Sequence, residues 1–586
     1  MKIFKNTLAI ILACLTIMVL IACASKEKTP PATTAATTPT TTVTSSVVTT
    51  SSTVTTAAVT EPSVTTTGVY DYLSEYEPVL PKASVAPTKL IRINPSGNDG
   101  ETLASVSLQG LLAKNGSSEL VVVEYGQEVK NYISTVRKNY DCEISNSSIW
   151  LLVKKYADPS YGYINGYILT DIGDESVNVA TSLASQLNAL IVTEEFVNKV
   201  EFYGLTCLAD VRNYDDEWLR QSEYFDKLSK DVAFICNVKQ NVFLRDYCIM
   251  SGSYCFSDAT TSSSAIANAL DFMNDNFVVF GWNNNCGEYG TVEAISSKNG
   301  CLIPADYASN LSVWSAFRLS SALQITEEVK SDGQGKHTVV FILSDGDNLQ
   351  WTLGNYSTST KWYANENRGD FYMGWGLPAC LVDSAPPTLQ YYYSHMTPKD
   401  QFILELSGVG YTFPSKWQNT ASLRDMYADL ATLMERMDMS YVEILDTMRF
   451  SRLQVDKYYT MLMKQDQVKG AFYIDYGNYA AYSGSIIWNS DKPIVSARYK
   501  LWAGATTVEE LAASINNSST DPTNADAYTF VTVHAWSGLN SNGQLVADGN
   551  THDAIAAVIA LLDDDVDVVT PEEFMKRIIE NEIGKK

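Results

Sequence analysis

Eight short apolar runs recur between Thr338 and Val569, and most are separated by segments of helical character. They are TVVFIL (338–343), FYMGW (371–375), FILEL (402–406), YVEIL (441–445), AFYID (471–475), IVSA (494–497), YTFVTVHA (528–535) and VDVV (566–569). Runs of this length read as strands. Between the third and fourth, SLRDMYADLATLMERM puts Leu423, Met426, Tyr427, Leu430, Leu433, Met434 and Met437 on one helix face. Thr507-Val508-Glu509-Glu510 and Thr570-Pro571-Glu572-Glu573 read as capping boxes, the second with proline at the first helical position. The links after the first two runs, GNYSTSTKWYANENRGD and SAPPTLQYYYSHM, read as partly loop. Eight β/α repeats in roughly 250 residues predict a (β/α)₈ barrel, with a seven-stranded or irregular barrel as the near alternative.

The chain ahead of this region is also α/β in texture. ELVVVEY (119–125), GYILT (166–170), ALIVT (189–193), DVAFIC (231–236) and NFVVFGW (276–282) alternate with helical stretches such as VNVATSLASQL (177–187). The expected class is therefore α/β, with small domains at 69–156, 157–218 and 219–330 preceding a barrel-like domain at 331–586. No GxGxxG and no GxxxxGK[ST] occurs, so the usual phosphate-cradling loops are not expected.

The first residues point outside the cytoplasm. Lys2 and Lys5 precede an apolar stretch from about Leu8 to Ala22, the pattern of a secretory signal over residues 1–22. Leu20-Ile21-Ala22-Cys23 resembles a bacterial lipobox, which implies cleavage before Cys23, acylation of its sulfur and a lipid anchor in the cell membrane. An amino-terminal transmembrane anchor is the other reading. Residues 24–68 are nearly all Thr, Ser, Val, Ala and Pro and have no hydrophobic period, which reads as a disordered stalk. The net charge of −25 has no basic stripe within it, so no nucleic-acid partner is expected. Beyond Cys23, eight cysteines remain without any CxxC pair, which speaks against a zinc ribbon. Cys248 and Cys255 are either a disulfide or buried free thiols.

Barrel active sites lie at the carboxyl ends of the strands, and there the chain gathers carboxylates and rings. Strand one ends in Ser344-Asp345-Gly346-Asp347-Asn348; strand three carries Glu405; strand four carries Glu443 and ends at Asp446; strand five ends in Asp475-Tyr476; Arg498 follows strand six; strand seven ends in His534-Ala535-Trp536. Trp351, Trp375, Tyr411, Phe413, Trp417, Tyr476, Trp502 and Trp536 lie at or near these ends. Aromatic faces stack on sugar rings, and carboxylates bind hydroxyls and move protons; about half of the rings are expected to be core. Glu443 reads as solvated or facing a helix. In the amino-terminal region, Trp282, Glu288 and Asp306 either line an interdomain cleft or pack and cap.

The stretch Gly408-Val409-Gly410-Tyr411-Thr412-Phe413-Pro414 resembles the motif of the GxGYxYP glycoside hydrolase family, with Phe413 where that motif has tyrosine. ILSDGDNLQW (342–351) resembles a second block of that family. SLQGLLAK (107–114), VNVATSLASQLNAL (177–190) and FGWNNNCGEYG (280–290) resemble the small domains that precede its barrel-like domain. The resemblance spans about residues 88 to 580. It implies carbohydrate processing and assigns no catalytic residue.

Together these readings predict a lipid-anchored extracellular glycoside hydrolase acting on a poly- or oligosaccharide. Asp345, Asp347, Glu405 and Asp475 form its expected catalytic carboxylates, with Asp446 in reserve. Glu405 is expected as general acid, since desolvation raises its pKa, and Asp475 as nucleophile or base. Asn348, Trp351, Trp375, Gly408, Gly410, Tyr411, Phe413, Tyr476, Arg498, His534 and Trp536 are expected to bind substrate, with Asp347, Asn348 and His534 positioning hydroxyls. The two glycines would bring backbone close to the sugar, and Pro414 would stiffen the loop's exit. No cofactor is expected in this reading. The alternatives are a metal-dependent carbohydrate esterase or deacetylase, with a divalent cation on Asp345, Asp347 and His534, and a non-catalytic glycan-binding lipoprotein. His337, His395 and His552 are isolated, so no paired-histidine segment supports the metal reading.

Overall fold

The computed structural model describes residues 77–320 and 324–585. The leader, Cys23 and the Thr/Ser-rich stretch to residue 68 lie outside the described residues. Three small parallel sheets come first. Their strands run in the orders Glu119–Val123, Lys89–Ile93, Glu143–Asn146; then Ala189–Val192, Gly166–Leu169, Cys207–Asp210; then Cys301–Ile303, Val278–Gly281, Val232–Cys236, Tyr254–Ser257. Most of these strands are buried along their whole length. Parallel strands covered on both faces have no solvent side to alternate with, which is why they read as unbroken apolar runs.

The carboxyl-terminal region holds one large, mostly parallel sheet that curls into a half-barrel. Its path runs Ile486–Asn489, Lys492–Ser496, Gly470–Asp475, Tyr441–Asp446, Asp400–Glu405, Met373–Pro378, His337–Leu343, Tyr528–Val533, Tyr499–Leu501, and Val566–Val568 pairs on His337–Leu343. All eight expected strands are present. The sixth differs from the repeat: Ile486–Asn489 and Lys492–Ser496 form an antiparallel hairpin. The chain from Lys492 to Leu501 then pairs first with Gly470–Asp475 and, from Tyr499, with Tyr528–Val533.

Local signals explain several helices. Thr507 and Glu510 make the full capping box. At the second site only half of it forms: Thr570 accepts from the Glu573 N–H, but the Glu573 carboxylate is drawn to Arg577 Nε at 2.9 Å. The 17-residue helix Thr420–Arg436 buries the expected apolar face. The stretch SAPPTLQYYYSHM is more ordered than expected, because Pro386 and Pro387 occupy the first helical turn, where a missing N–H costs nothing, and start the helix Pro386–His395. Residues 354–370 are turns with one short 3₁₀ segment, Asn355–Ser357.

All eight described cysteines are free. Cys236, Cys248 and Cys255 lie in mutual contact in the core, where burial raises the Cys248 and Cys255 thiols. Among the described residues, no helix is long and apolar enough to cross a membrane.

Candidate active site at the strand ends

Strands Asp400–Glu405 and Tyr441–Asp446 are neighbours, with Leu404 opposite Val442. The next step along that register sets Glu405 against Glu443. Both are buried, and their carboxyl groups lie close enough to act on each other's pKa. Among the described residues, Glu405 Oε1 and both Glu443 oxygens have no hydrogen-bond partner, while Glu405 Oε2 accepts from the Asp347 N–H at 3.2 Å. Burial and the repulsion between two like charges both disfavour ionising the pair, which favours a proton on it. Burial is the main cause that raises both pKa values. The mutual contact and the charges of Asp347 and Asp345 act on them as well.

Room for the pair comes from a glycine. Gly376 lies on the adjacent strand Met373–Pro378, opposite Ile403, and a Cβ there would fall 2.0 Å from Glu405 Oε2. Any side chain at 376 would displace the carboxyl.

In front of the pair lies a cavity of about 130 Å³, lined by Glu443, Asp347, Asp345, Asn348, Glu288 and Tyr411 among others. Among the described residues, no lysine, arginine or histidine lines it. Glu405 itself sits behind this wall. Asp347 is buried, and its pKa is raised by burial, then by the charges of Asp345 and Glu288. Asn348 donates to Asp347 Oδ1 and to the Asp345 carbonyl, both at 3.3 Å. Asp345 is half-buried at φ 66°, in the left-handed region that aspartate tolerates, and Ser344 Oγ donates to its carboxylate.

The opposite wall belongs to the third amino-terminal sheet region. Trp282 follows the strand Val278–Gly281, and Glu288 lies in the first turn of the helix Gly287–Ser296. The Tyr411 hydroxyl donates to Glu288 Oε1 at 2.7 Å. Burial raises the Glu288 pKa, and the Tyr411 bond opposes that rise. Of the two readings for these residues, Trp282 and Glu288 are cleft residues, whereas Asp306 is outside the cavity lining, its Oδ1 buried without a hydrogen-bond partner.

The glycine loop docks domains rather than approaching the cavity with its backbone. Tyr411 and Leu302 exchange backbone hydrogen bonds of 2.6 and 2.9 Å. A Cβ on Gly410 would meet Leu302 O at 2.6 Å, and one on Gly408 would meet Met426 Sδ at 2.9 Å. Phe413 is fully buried against Tyr411, Tyr476 and Tyr289. Pro414 opens a 3₁₀ turn. Trp417 is buried with Nε1 on Thr412 Oγ1 at 2.8 Å.

Several other expected residues lie elsewhere. Asp475 is outside the cavity lining, and its Oδ1 accepts from the Asn478 N–H at 2.8 Å, closing a turn. Asp446 is buried and fully engaged, accepting from Ser415 N and Oγ, Thr447 N and Tyr459 Oη. Trp375 is core, its Nε1 on Asp400 Oδ1 at 2.9 Å. Arg498 pairs with Asp526 at 3.1 Å and donates to two backbone carbonyls. His534 stacks on Trp502 with ring centroids 3.8 Å apart and contacts Ser537 Oγ through Nδ1; burial lowers its pKa while the charge of Asp345 opposes this. Trp351 and Trp536 meet edge to face at 4.9 Å. Glu443 lines the cavity instead of being solvated or facing a helix, and Tyr479, which packs on Trp502, lines it too, although no strand-end position in the sequence marks it. Among the described residues, no group of three or more His, Cys, Asp or Glu has the arrangement of a metal site.

Comparison with known proteins gives consistent matches. Residues 335–578 match the model described as "GxGYxYP putative glycoside hydrolase C-terminal domain", residues 164–228 the GxGYxYP_N second domain and residues 231–316 the GxGYxYP third domain. Among solved structures, the chain is similar to a crystal structure from Bacteroides thetaiotaomicron VPI-5482 titled a "putative hydrolase", with a TM-score of 0.74 and 29% identity over 85% of this chain and 96% of that one. No curated protein sequence matches. The family's name and the neighbour's title both support a hydrolase. With its three domain models in order over more than half of the chain, this protein belongs to the GxGYxYP family.

Proposed function

We propose that the protein is a glycoside hydrolase that works outside the cytoplasm, lipid-anchored through Cys23, on a poly- or oligosaccharide. The observation that carries this reading is the buried carboxyl pair Glu405 and Glu443, both pushed toward the protonated form by burial, behind a cavity also lined by Asp345, Asp347, Glu288 and Tyr411. Glycoside hydrolysis needs a carboxylic acid that stays protonated near neutral pH and a second carboxylate across the scissile bond. Glu443 faces the cavity and serves as the acid. Glu405 is a positioning residue that keeps the proton on the pair. Asp345, half-exposed and on the neighbouring wall, serves as nucleophile or base in place of Asp475. Asp347 and Asn348 orient substrate hydroxyls, and Trp282 offers a ring to a sugar face. The Lys492–Leu501 run, which pairs at both edges of the curl, supports reading the half-barrel as a barrel-like scaffold.

The test is product release from a panel of polysaccharides and oligosaccharides, followed by reducing-end assay and mass, for the parent protein and Glu443→Gln, Asp345→Asn and Asp475→Asn. Product lost in the first two variants and kept in the third supports the assignment. Saturable glycan binding without product over long incubation replaces it with a binding lipoprotein. Loss of product on chelation replaces it with the metal-dependent esterase or deacetylase.

A further inference from the structure

On the other side of the candidate site lies a larger cleft that the proposed chemistry does not use. Its volume is about 350 Å³. The helix Leu349–Leu353 separates the two: its N-cap Asn348 lines the carboxylate cavity, while Gln350, Trp351 and Leu353 line the cleft. The Gln350 N–H donates to Pro304 O at 3.4 Å, and Pro304 lines the first cavity, so the wall between them is only this turn of chain.

The remaining walls come from two amino-terminal regions. Tyr132 of the helix Gln127–Asn139 and Trp314 of Leu311–Trp314 are fully buried, edge to face at 6.1 Å, and form a fixed floor. Phe243 and Tyr307 pack edge to face at 5.3 Å, with Tyr307 still 48% exposed. Trp351 is half-buried and braced by Trp536. Polar groups sit among these rings: Glu128, Asn355, Ser309 and Gln350, whose Oε1 is buried with no hydrogen-bond partner. Rings alternating with hydrogen-bonding groups match the two faces of a sugar, apolar C–H on one side and hydroxyls at the edge. Among the described residues, the single charged side chain in the lining is Glu128, which opposes uronate or sulfate groups.

We infer that this cleft is a second saccharide-binding site, taking further units of a neutral glycan whose scissile bond lies at the carboxylate cavity. This rests on the glycoside hydrolase reading for its continuity with the catalytic site, but the binding it asserts is testable without turnover.

The experiment is calorimetric titration of the full chain with neutral gluco-, xylo-, manno- and galacto-oligosaccharides from disaccharide to hexasaccharide, beside Trp351→Ala and Tyr307→Ala. Tyr307 is half in solvent, so its variant keeps the fold, and a melting curve checks both. The expected result is affinity that rises with chain length in the parent and falls at least tenfold for the longest ligand in both variants, with disaccharide binding unchanged. Affinity independent of length, variants that bind every length as the parent does, or no binding by any member of the ladder overturns the inference. Length-dependent binding without product leaves the cleft standing and removes the hydrolase reading; product formation without length dependence does the reverse.

Discussion

The Tyr411 hydroxyl bonds the Glu288 carboxylate at 2.7 Å and so joins the glycine loop of the large sheet to a helix of the third amino-terminal domain inside one cavity. A hydroxyl that donates to a carboxylate favours its ionised form. Tyr411→Phe removes that donor and leaves burial and the charge of Asp345 to act unopposed on Glu288, whose pKa then rises further. An activity that needs ionised Glu288 loses its acid limb at higher pH than in the parent. A kcat/KM–pH profile measures this, and an unmoved acid limb shows that Glu288 does not take part. A net loss of about 1.5–3 kcal/mol is also expected in urea unfolding, as for a hydrogen bond to a charged group.

The raised pKa values of Glu405 and Glu443 have a stability signature. Both carboxyls have folded-state pKa values above their unfolded values. The folded state therefore holds protons that the unfolded chain releases as pH passes the ordinary carboxylate range, and stability falls with rising pH from there up to the folded pKa values. Glu443→Gln removes one of the two raised groups. Its melting temperature is expected to fall less steeply between pH 5 and pH 8 than the parent's. Parallel curves for the two proteins would show that the pair is not protonated in the folded state. The same variant is expected to lose about 10²–10⁴-fold in kcat, the usual contribution of a general acid.

Much of this fold was legible, because parallel strands advertise themselves as apolar runs and Thr420–Arg436 as a periodic stripe. The key pair was half legible. FILEL and YVEIL each carry a glutamate within an apolar run, a costly placement that calls for a partner. Their pairing depends on Leu404 lying opposite Val442, and register between strands 35 residues or more apart is set by tertiary packing that no single segment encodes. The sequence alone therefore reads Glu443 as solvated or facing a helix and Asp475, at a more conventional strand end, as catalytic. The glycine loop misled for a related reason: what Gly410 approaches closely is the Leu302 carbonyl of another domain, not a ligand.

Gly410→Ala tests that docking role. The added methyl would sit 2.6 Å from Leu302 O, so the loop or the strand end must shift, at about 1–3 kcal/mol by the usual cost of overpacking. Because Tyr411 is the next residue, activity is expected to drop together with stability. Urea unfolding and initial rates on the same preparation check it; full stability would mean that the seam yields freely.

Charge selectivity follows from the cavity lining. Glu288, Asp345, Asp347 and Glu443 face it with Glu405 behind, and no cationic side chain offsets them. Uronates or sulfated sugars would bring a further negative charge into a desolvated, acidic site. On matched aryl glycosides, kcat/KM for a neutral sugar is expected to exceed that for its uronate by at least tenfold, and the gap to narrow as pH falls toward the uronate's own pKa. Equal rates at neutral pH would place the reacting sugar away from these carboxylates.

Asp475→Asn separates the two candidate carboxylate sets most directly. Asp475 ends the strand next to Glu443's, with Asp446 opposite it in the ladder, so its sequence position is that of a catalytic residue. Its oxygen nevertheless closes the turn to Asn478 at 2.8 Å, outside the cavity lining. An asparagine keeps an acceptor in the same place, since this cap needs an oxygen and no charge. The variant is expected to melt within a degree or two of the parent and to keep kcat within about threefold, whereas Asp345→Asn loses orders of magnitude. A collapse of kcat in Asp475→Asn with an unchanged melt would move the nucleophile or base back to the fifth strand and leave Asp345 as a binding residue.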